Sequence, residues 1–413
     1  MTSQAQDPPP TRRVVRTIAA AAVSTTLGTL PVFLLGALAV LVRADLDFSE
    51  TQLGAAATVF FGTSTLCSLP AGRVAERFGA FRATTAAAVL GTAALLGIAL
   101  VARSYSMLLA FLTIAGAGNA FAQIGSNLSL ARGVPLPRQG LAFGVKQTAI
   151  PVATLLGGLA VPLVGLTVGW RWAFAGGAAV ALIFAAIVPR DQPPPPRAAN
   201  TRVRAGDAAT GPLSVIALGA ALGAAATNAF GAFLVESAVA SGISPGAGGL
   251  LLAAGSSVGI VMRLSVGWSA DRRDGRHLRV VVAQLVGGAV GLGLLATSGT
   301  VPLILGTLLG FGAGWSWPGL LNFAIVRVNR GAPAAATSIT QTGVFAGGAL
   351  GPVAFGATVE ATSYDVAWLA AAATLLAAAV LVTVGKRLLI IDLTRRDARP
   401  RARRRPVRAG QPR

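Results

Sequence analysis

The 413-residue chain is 54% hydrophobic and only 12% charged, about half the charge of an ordinary soluble domain, and its mean hydropathy is +0.69; together these exclude a soluble globular chain. The formal net charge of +20 sits in short stretches between apolar runs and in the tail 386–413, which reads as topogenic charge on a cytoplasmic face and excludes a nucleic-acid surface. One cysteine, Cys67, and one histidine, His277, exclude a disulfide framework and a metal cluster; Cys67 is expected in a packed core and His277 in a solvated loop.

Taken in order, the chain opens with a short basic segment, 1–16. Arg12 and Arg13 precede an apolar run that is too long for the core of a signal peptide, so the run is expected to stay as the first helix. Apolar runs of about 20 residues, long enough to cross a hydrocarbon core of about 30 Å, predict twelve spans. The first six cover 17–42, 51–71, 83–102, 107–131, 141–169 and 172–188. A stretch rich in proline and arginine, 189–212, reads as a stiff linker. The second six cover 213–240, 246–266, 278–297, 301–326, 334–359 and 365–391, and a basic tail occupies 392–413. The predicted architecture is an all-α membrane protein with two six-helix bundles, 17–188 and 213–391. Lysine and arginine placement predicts both termini in the cytoplasm, with only Arg43, Arg103 and Arg171 on the far side. Tyr105, Trp170, Trp172, Tyr364 and Trp368 then fall at the external interface.

The two halves repeat one another. Gly72-Arg-Val-Ala-Glu76-Arg77-Phe-Gly79 is answered 195 positions later by Gly267-Trp-Ser-Ala-Asp271-Arg272. Asn127 to Arg132 is answered by Asn322 to Arg327 at the same offset, and Gln147-Thr148 by Gln341-Thr342 at 194. A parallel repeat of this kind implies a pseudo-two-fold axis along the membrane normal.

With these motifs in hand, the chain resembles the major facilitator superfamily of secondary transporters over roughly residues 14–391. Gly72 to Gly79 resembles that family's signature loop between spans two and three, with Glu76 where the pattern has Asp. Trp170-Arg-Trp-Ala-Phe174 resembles the start of its sixth span. The resemblance implies a central cavity lined mainly by spans one, four, seven and ten. It also implies a cytoplasmic gate formed by Gly72, Glu76, Arg77, Gly79, Arg132, Gly267, Asp271, Arg272 and Arg327, whose ionic contacts hold that side closed. The family's proton-coupled drug exporters carry an arginine in span four; this chain has Leu112 there.

Polar residues inside spans are functional candidates because burying them is unfavourable. Lys146 reads as a contact for an anionic solute or as a lysine snorkelling back to the loop. Glu236 reads as a proton-coupling carboxylate or an interfacial acid. Asn119, Gln123 and Asn127 share one face of span four and read as solute contacts or as interhelical hydrogen-bonding groups; the solute role is favoured, and Asn228 and Gln341 join them in it. Trp315 and Trp317 lie halfway across span ten, one expected to wall the cavity and the other to pack outward. Arg263 reads first as a member of the signature-loop network and otherwise as a solute contact, and Glu360 reads as interfacial. No nucleotide-binding loop, metal cluster or nucleophile constellation occurs, so no enzyme, cofactor or metal is expected. The reading is a monomeric symporter or antiporter of the cell membrane. It moves a small organic solute, with an organic anion favoured on Lys146, and a proton is the candidate coupling ion. The alternatives are proton-coupled export of hydrophobic or cationic compounds through Glu236 and the tryptophans, and a receptor of transporter shape that carries nothing.

Overall fold

The computed structural model describes residues 11–188, 209–270, 277–329 and 333–398. Every regular element among them is helical, since backbone in hydrocarbon has to satisfy its own N–H and C=O groups. The first half holds α1 (Thr11–Ala37, continued after a kink by Ala39–Leu46), α2 (Glu50–Phe78), α3 (Ala80–Val101) and α4 (Tyr105–Gly133). It ends with α5 (Leu136–Gln147, Ala149–Ala160 and Val161–Gly165) and α6 (Trp170–Ile187). The second half holds α7 (Thr210–Ala240), α8 (Pro245–Ala270), α9 (His277–Leu295) and α10 (Thr300–Leu309, Gly310–Gly314 and Trp317–Val328), followed by α11 (Pro333–Ala361) and α12 (Tyr364–Ala398). Eleven of these are unbroken enough to cross a membrane by length and apolarity; α10 is the twelfth, divided by a π-helical turn and the break at Trp315 and Ser316.

Several boundaries differ from the sequence reading. The charged stretch 72–82 is not a loop. Helix α2 runs to Phe78, Gly79 alone makes the turn, and α3 starts at Ala80. Gly79 has φ 89, a conformation that disfavours any side chain. Helix α7 begins inside the predicted linker and α12 runs past 391. The rest of the linker and tail lies outside the described residues, as do Asp271 and Arg272. His277 is not solvated: it opens α9, is 7% exposed, and meets the Phe323 ring edge-on at 5.1 Å. Cys67 is half-buried rather than in the core. Of the expected interfacial aromatics Trp172 is exposed, but Trp170 and Trp368 are packed inside the protein. Trp368 donates its indole N–H to Ser237 Oγ at 2.8 Å.

Small residues set the packing. On α11, Gly343, Gly347 and Gly351 lie against the carbonyls of Ala217, Ala221 and Ala225 on α7; a Cβ at these glycines would meet those oxygens at 2.1, 1.8 and 2.3 Å. The spacing of four puts the three glycines on one helix face, where small residues allow backbones to touch. Larger apolar side chains such as Leu66, Leu163, Leu182, Ile183 and Val380 point outward, as they do where the surrounding solvent is lipid.

The halves meet mainly at one end, called here the distal end; the motif end is the one where α2 turns into α3. At the distal end Gly54 of α2 sits on Pro352 and Val353 of α11, and Gly356 of α11 on the Glu50 carbonyl. Gly36 of α1 sits on Ala232 of α7, and Gly158 of α5 and Gly249 of α8 face each other. Thr154 and Ser256 hydrogen-bond across the same α5–α8 contact at 2.7 Å. Further toward the motif end, Gly62 and Gly72 of α2, Gly144 of α5 and Gly267 of α8 have no neighbouring atom within 4 Å of a Cβ position. Among the described residues, close backbone contact between the halves is concentrated on the distal side, with weaker contact of the first α5 segment against α8 and the last α10 segment.

Candidate functional site

Lys146 closes the first segment of α5 and is 4% exposed. Its ammonium does not snorkel to the loop. It turns to α4 and donates to Gln123 Oε1 at 2.8 Å and Asn127 Oδ1 at 2.7 Å. Both acceptors are neutral, and no carboxylate of the described residues pairs with it. Asn127 is itself exposed, so one of the two amides that hold the buried amine lies at the protein surface. The second half repeats the arrangement in neutral form: Asn322 of α10 donates to Gln341 of α11 at 3.5 Å. By its partner, Gln341 is the counterpart of Lys146, one place off the Gln147 match read from sequence.

Asn119, one turn deeper on the same α4 face, is not part of this group. It donates to Ser64 Oγ of α2 at 2.8 Å, and Ser64 donates to the Gly116 carbonyl at 2.8 Å. Asn228 of α7 donates to the Ala224 carbonyl at 2.9 Å in its own helix and stands next to Gly348 of α11.

Arg263 of α8 does not join the signature loop. Its guanidinium donates to the Gln147 carbonyl of α5 at 2.9 Å and to the Trp315 carbonyl of α10 at 2.5 Å. Both carbonyls are free because their helices are broken. Gln147 stands four residues before Pro151, which has no N–H to return. Trp315 stands in the break that precedes the Ser316 cap of the last α10 segment. A side chain of one half thus ties a helix break in each half.

The two tryptophans part company. Trp315 packs between the halves, against Phe33 of α1 at 5.7 Å and Phe311 at 5.4 Å. Neither packs outward, as one of them was expected to: Trp317 is 1% exposed and lies against Gly223 of α7, inside the second bundle.

Glu236 is far from this region in the fold, at the distal end of α7. It is buried and paired with Arg43 of the Ala39–Leu46 segment; Arg43 also holds Glu50 at 2.9 Å and donates Nε–H to the Phe48 carbonyl at 2.8 Å. Tyr364 lies beside Glu236. Nearby, Glu360 of α11 accepts from Ser49 Oγ at 2.9 Å and from the Thr51 amide at 3.3 Å. The distal seal therefore carries an ionic layer that joins the halves. Sequence reading placed Arg43 only as far-side charge, did not single out Glu50, and missed this role. Their partners lie far along the chain, and no local pattern announces them.

At the motif end Glu76 is exposed and pairs with neither Arg77 nor Arg132. Arg77 and Arg82 instead flank the Phe78 ring, each at 5.2 Å, and Arg327 lies over Phe323 at 5.2 Å. Gly72 and Gly267 are helical positions within α2 and α8.

Comparison with known proteins agrees with this architecture. The chain aligns with a bacterial homologue of the human lysosomal transporter Spinster, in inward-facing unoccupied and occupied conformations. Each gives a TM-score of 0.67 at 15% and 16% identity, covering 92% and 93% of this chain and 97% and 98% of those. It aligns with a mutant of the nucleoside transporter NupG at a TM-score of 0.71 and 16% identity, covering 91% of this chain and 99% of that one. No curated protein sequence matches it. The sequence family described as Major Facilitator Superfamily matches twice, over residues 17–217 and 216–410. Two matches in tandem repeat the two bundles of the fold, and the chain belongs to the major facilitator superfamily.

Proposed function

We propose that the chain is a secondary transporter of an organic anion, working by alternating exposure of a site between its two six-helix halves. The observation that carries the reading is Lys146: a buried ammonium held by two neutral amides with no carboxylate partner. An uncompensated cation in a low-dielectric site attracts an anion. Asn127 gives the site its opening and Gln123 orients the amine.

The same reading puts the motif end in the cytoplasm, both termini with it, in the cell membrane. Basic residues concentrate at that end, whereas two of the three distal arginines, Arg43 and Arg171, are neutralised by acids. The distal seal, and Glu76 standing apart from Arg77 and Arg132 among the described residues, then correspond to a molecule closed to the outside with its cytoplasmic gate undone. Glu236 and Arg43 form the outer lock, and a proton on Glu236 is the coupling event that would release it. Export of hydrophobic or cationic compounds has less support, because Trp317 is enclosed in the second bundle and Glu236 is already engaged.

The test is counterflow and uptake of an organic-anion panel in proteoliposomes containing the full chain. Lys146→Gln should lower anion transport by about 30-fold or more, since losing one partner of a buried charge contact costs about 2–5 kcal/mol, while the protein elutes as wild type in size exclusion. Undiminished anion transport by that variant would remove the reading.

A further inference from the structure

We propose that Lys146 and Arg263 are the two poles of one anion site shared between the halves, and that its solute is an organic dianion. The proposal rests on the anion reading of Lys146 and adds the second contact and the charge of the ligand.

The two cations are neighbours through the backbone: Arg263 donates to the carbonyl of Gln147, the residue that follows Lys146. Neither is neutralised by a carboxylate of the described residues. Carbonyl and amide dipoles orient the two groups without cancelling their charge. Each keeps donors in reserve. An ammonium has three N–H groups and a guanidinium five; Lys146 uses two, on Gln123 and Asn127, and Arg263 two, on Gln147 and Trp315. The spare donors of a planar guanidinium suit a carboxylate or phosphate edge. One charge from each half leaves a monoanion one charge short of neutrality, and a dianion meets both.

The internal repeat supports a role beyond scaffold. At the repeat offset Lys146 corresponds to Gln341 and Arg263 to Ser68. Neither cation is copied, so the duplicated fold does not require them. They occur at unrelated positions of the two halves and converge only in three dimensions. Because they come from opposite halves, a ligand bound to both would fasten the halves through itself, in the place now taken by the bond from Arg263 to Gln147.

The experiment uses full-length protein in lipid nanodiscs and two pairs of near-isosteric probes, succinate with succinamate and phthalate with phthalamate. Each pair differs by one charge. Affinity is read from intrinsic tryptophan fluorescence, because Trp315 is fixed to Arg263 by its own carbonyl, and from thermal stabilisation. Wild type should bind the dianion of at least one pair about tenfold or more tighter than its amide. Arg263→Gln should reduce that preference to about threefold or less and leave the amide's affinity in place, while Lys146→Gln should weaken both. Arg263→Lys keeps the charge but has no fork to span two carbonyls, and should retain the preference. Loss of preference in Arg263→Lys as well would confine Arg263 to bridging the helix breaks and overturn the proposal. Equal wild-type binding of both members of a pair would also overturn it and leave the anion reading standing. Binding of neither member of either pair would count against both.

Discussion

At Lys146 and Glu236 the chain buries opposite charges by opposite means. The lysine is held by two neutral amides, whereas the glutamate is matched by Arg43 across the distal seam. That difference predicts different phenotypes. Glu236→Gln or Arg43→Gln removes an inter-half ion pair, and each should shift the population toward an open distal end by about tenfold, from a coupling of about 1–3 kcal/mol. The double variant should add little to either, because the two side chains act as one unit. Distance measurements between spin labels on α1 and α7, on a Cys67→Ser background, would register the shift; unchanged distances would show that the pair is not a lock. Lys146 was legible in the sequence because a lone cation in an apolar run has no bland neighbour to explain it. Arg43 was not, because its partner is remote in the chain. The burial of both Trp315 and Trp317 was hidden by the break in α10, which destroys the helical register from which opposite directions for the pair were inferred.

The elements follow from hydropathy, and their number and duplicated order could be read directly. Their ends could not. Residues 72–78 look like a loop because they are charged, but Arg, Glu and Ala are good helix formers in water as well as in lipid, and only Gly79 stops the helix. Which helices touch was also out of reach, since in an alanine- and glycine-rich chain nearly every face is smooth. The stripe of Gly343, Gly347 and Gly351 on α11, packed against α7, decides one such contact. Gly347→Val would drive a side chain into the Ala221 carbonyl and should abolish recovery of monodisperse protein. Gly176→Ala, at a position with no neighbour within 4 Å, should leave recovery unchanged. Equal recovery of both would mean that the α7–α11 contact does not hold the second bundle together.

For the whole molecule, the placement of charge makes a claim about sidedness. An impermeant maleimide applied to intact cells should label Asp45→Cys readily and Glu76→Cys only after permeabilisation, both on the Cys67→Ser background. The reverse pattern would turn the protein over in the membrane. The distal seam has a consequence for energetics. Where Gly54 lies on Pro352, Gly36 on Ala232 and Gly158 on Gly249, the halves cohere by main-chain contact, with nothing there that titrates or feels an ion. That part of the attraction is the same in acid and base, in dilute and concentrated buffer, and at any voltage. The charged groups that bridge the seam are a few side chains beside it, Arg43, Glu50, Glu236 and Glu360. The charge of the seam can therefore be changed at those few positions while its main-chain contacts stay as they are.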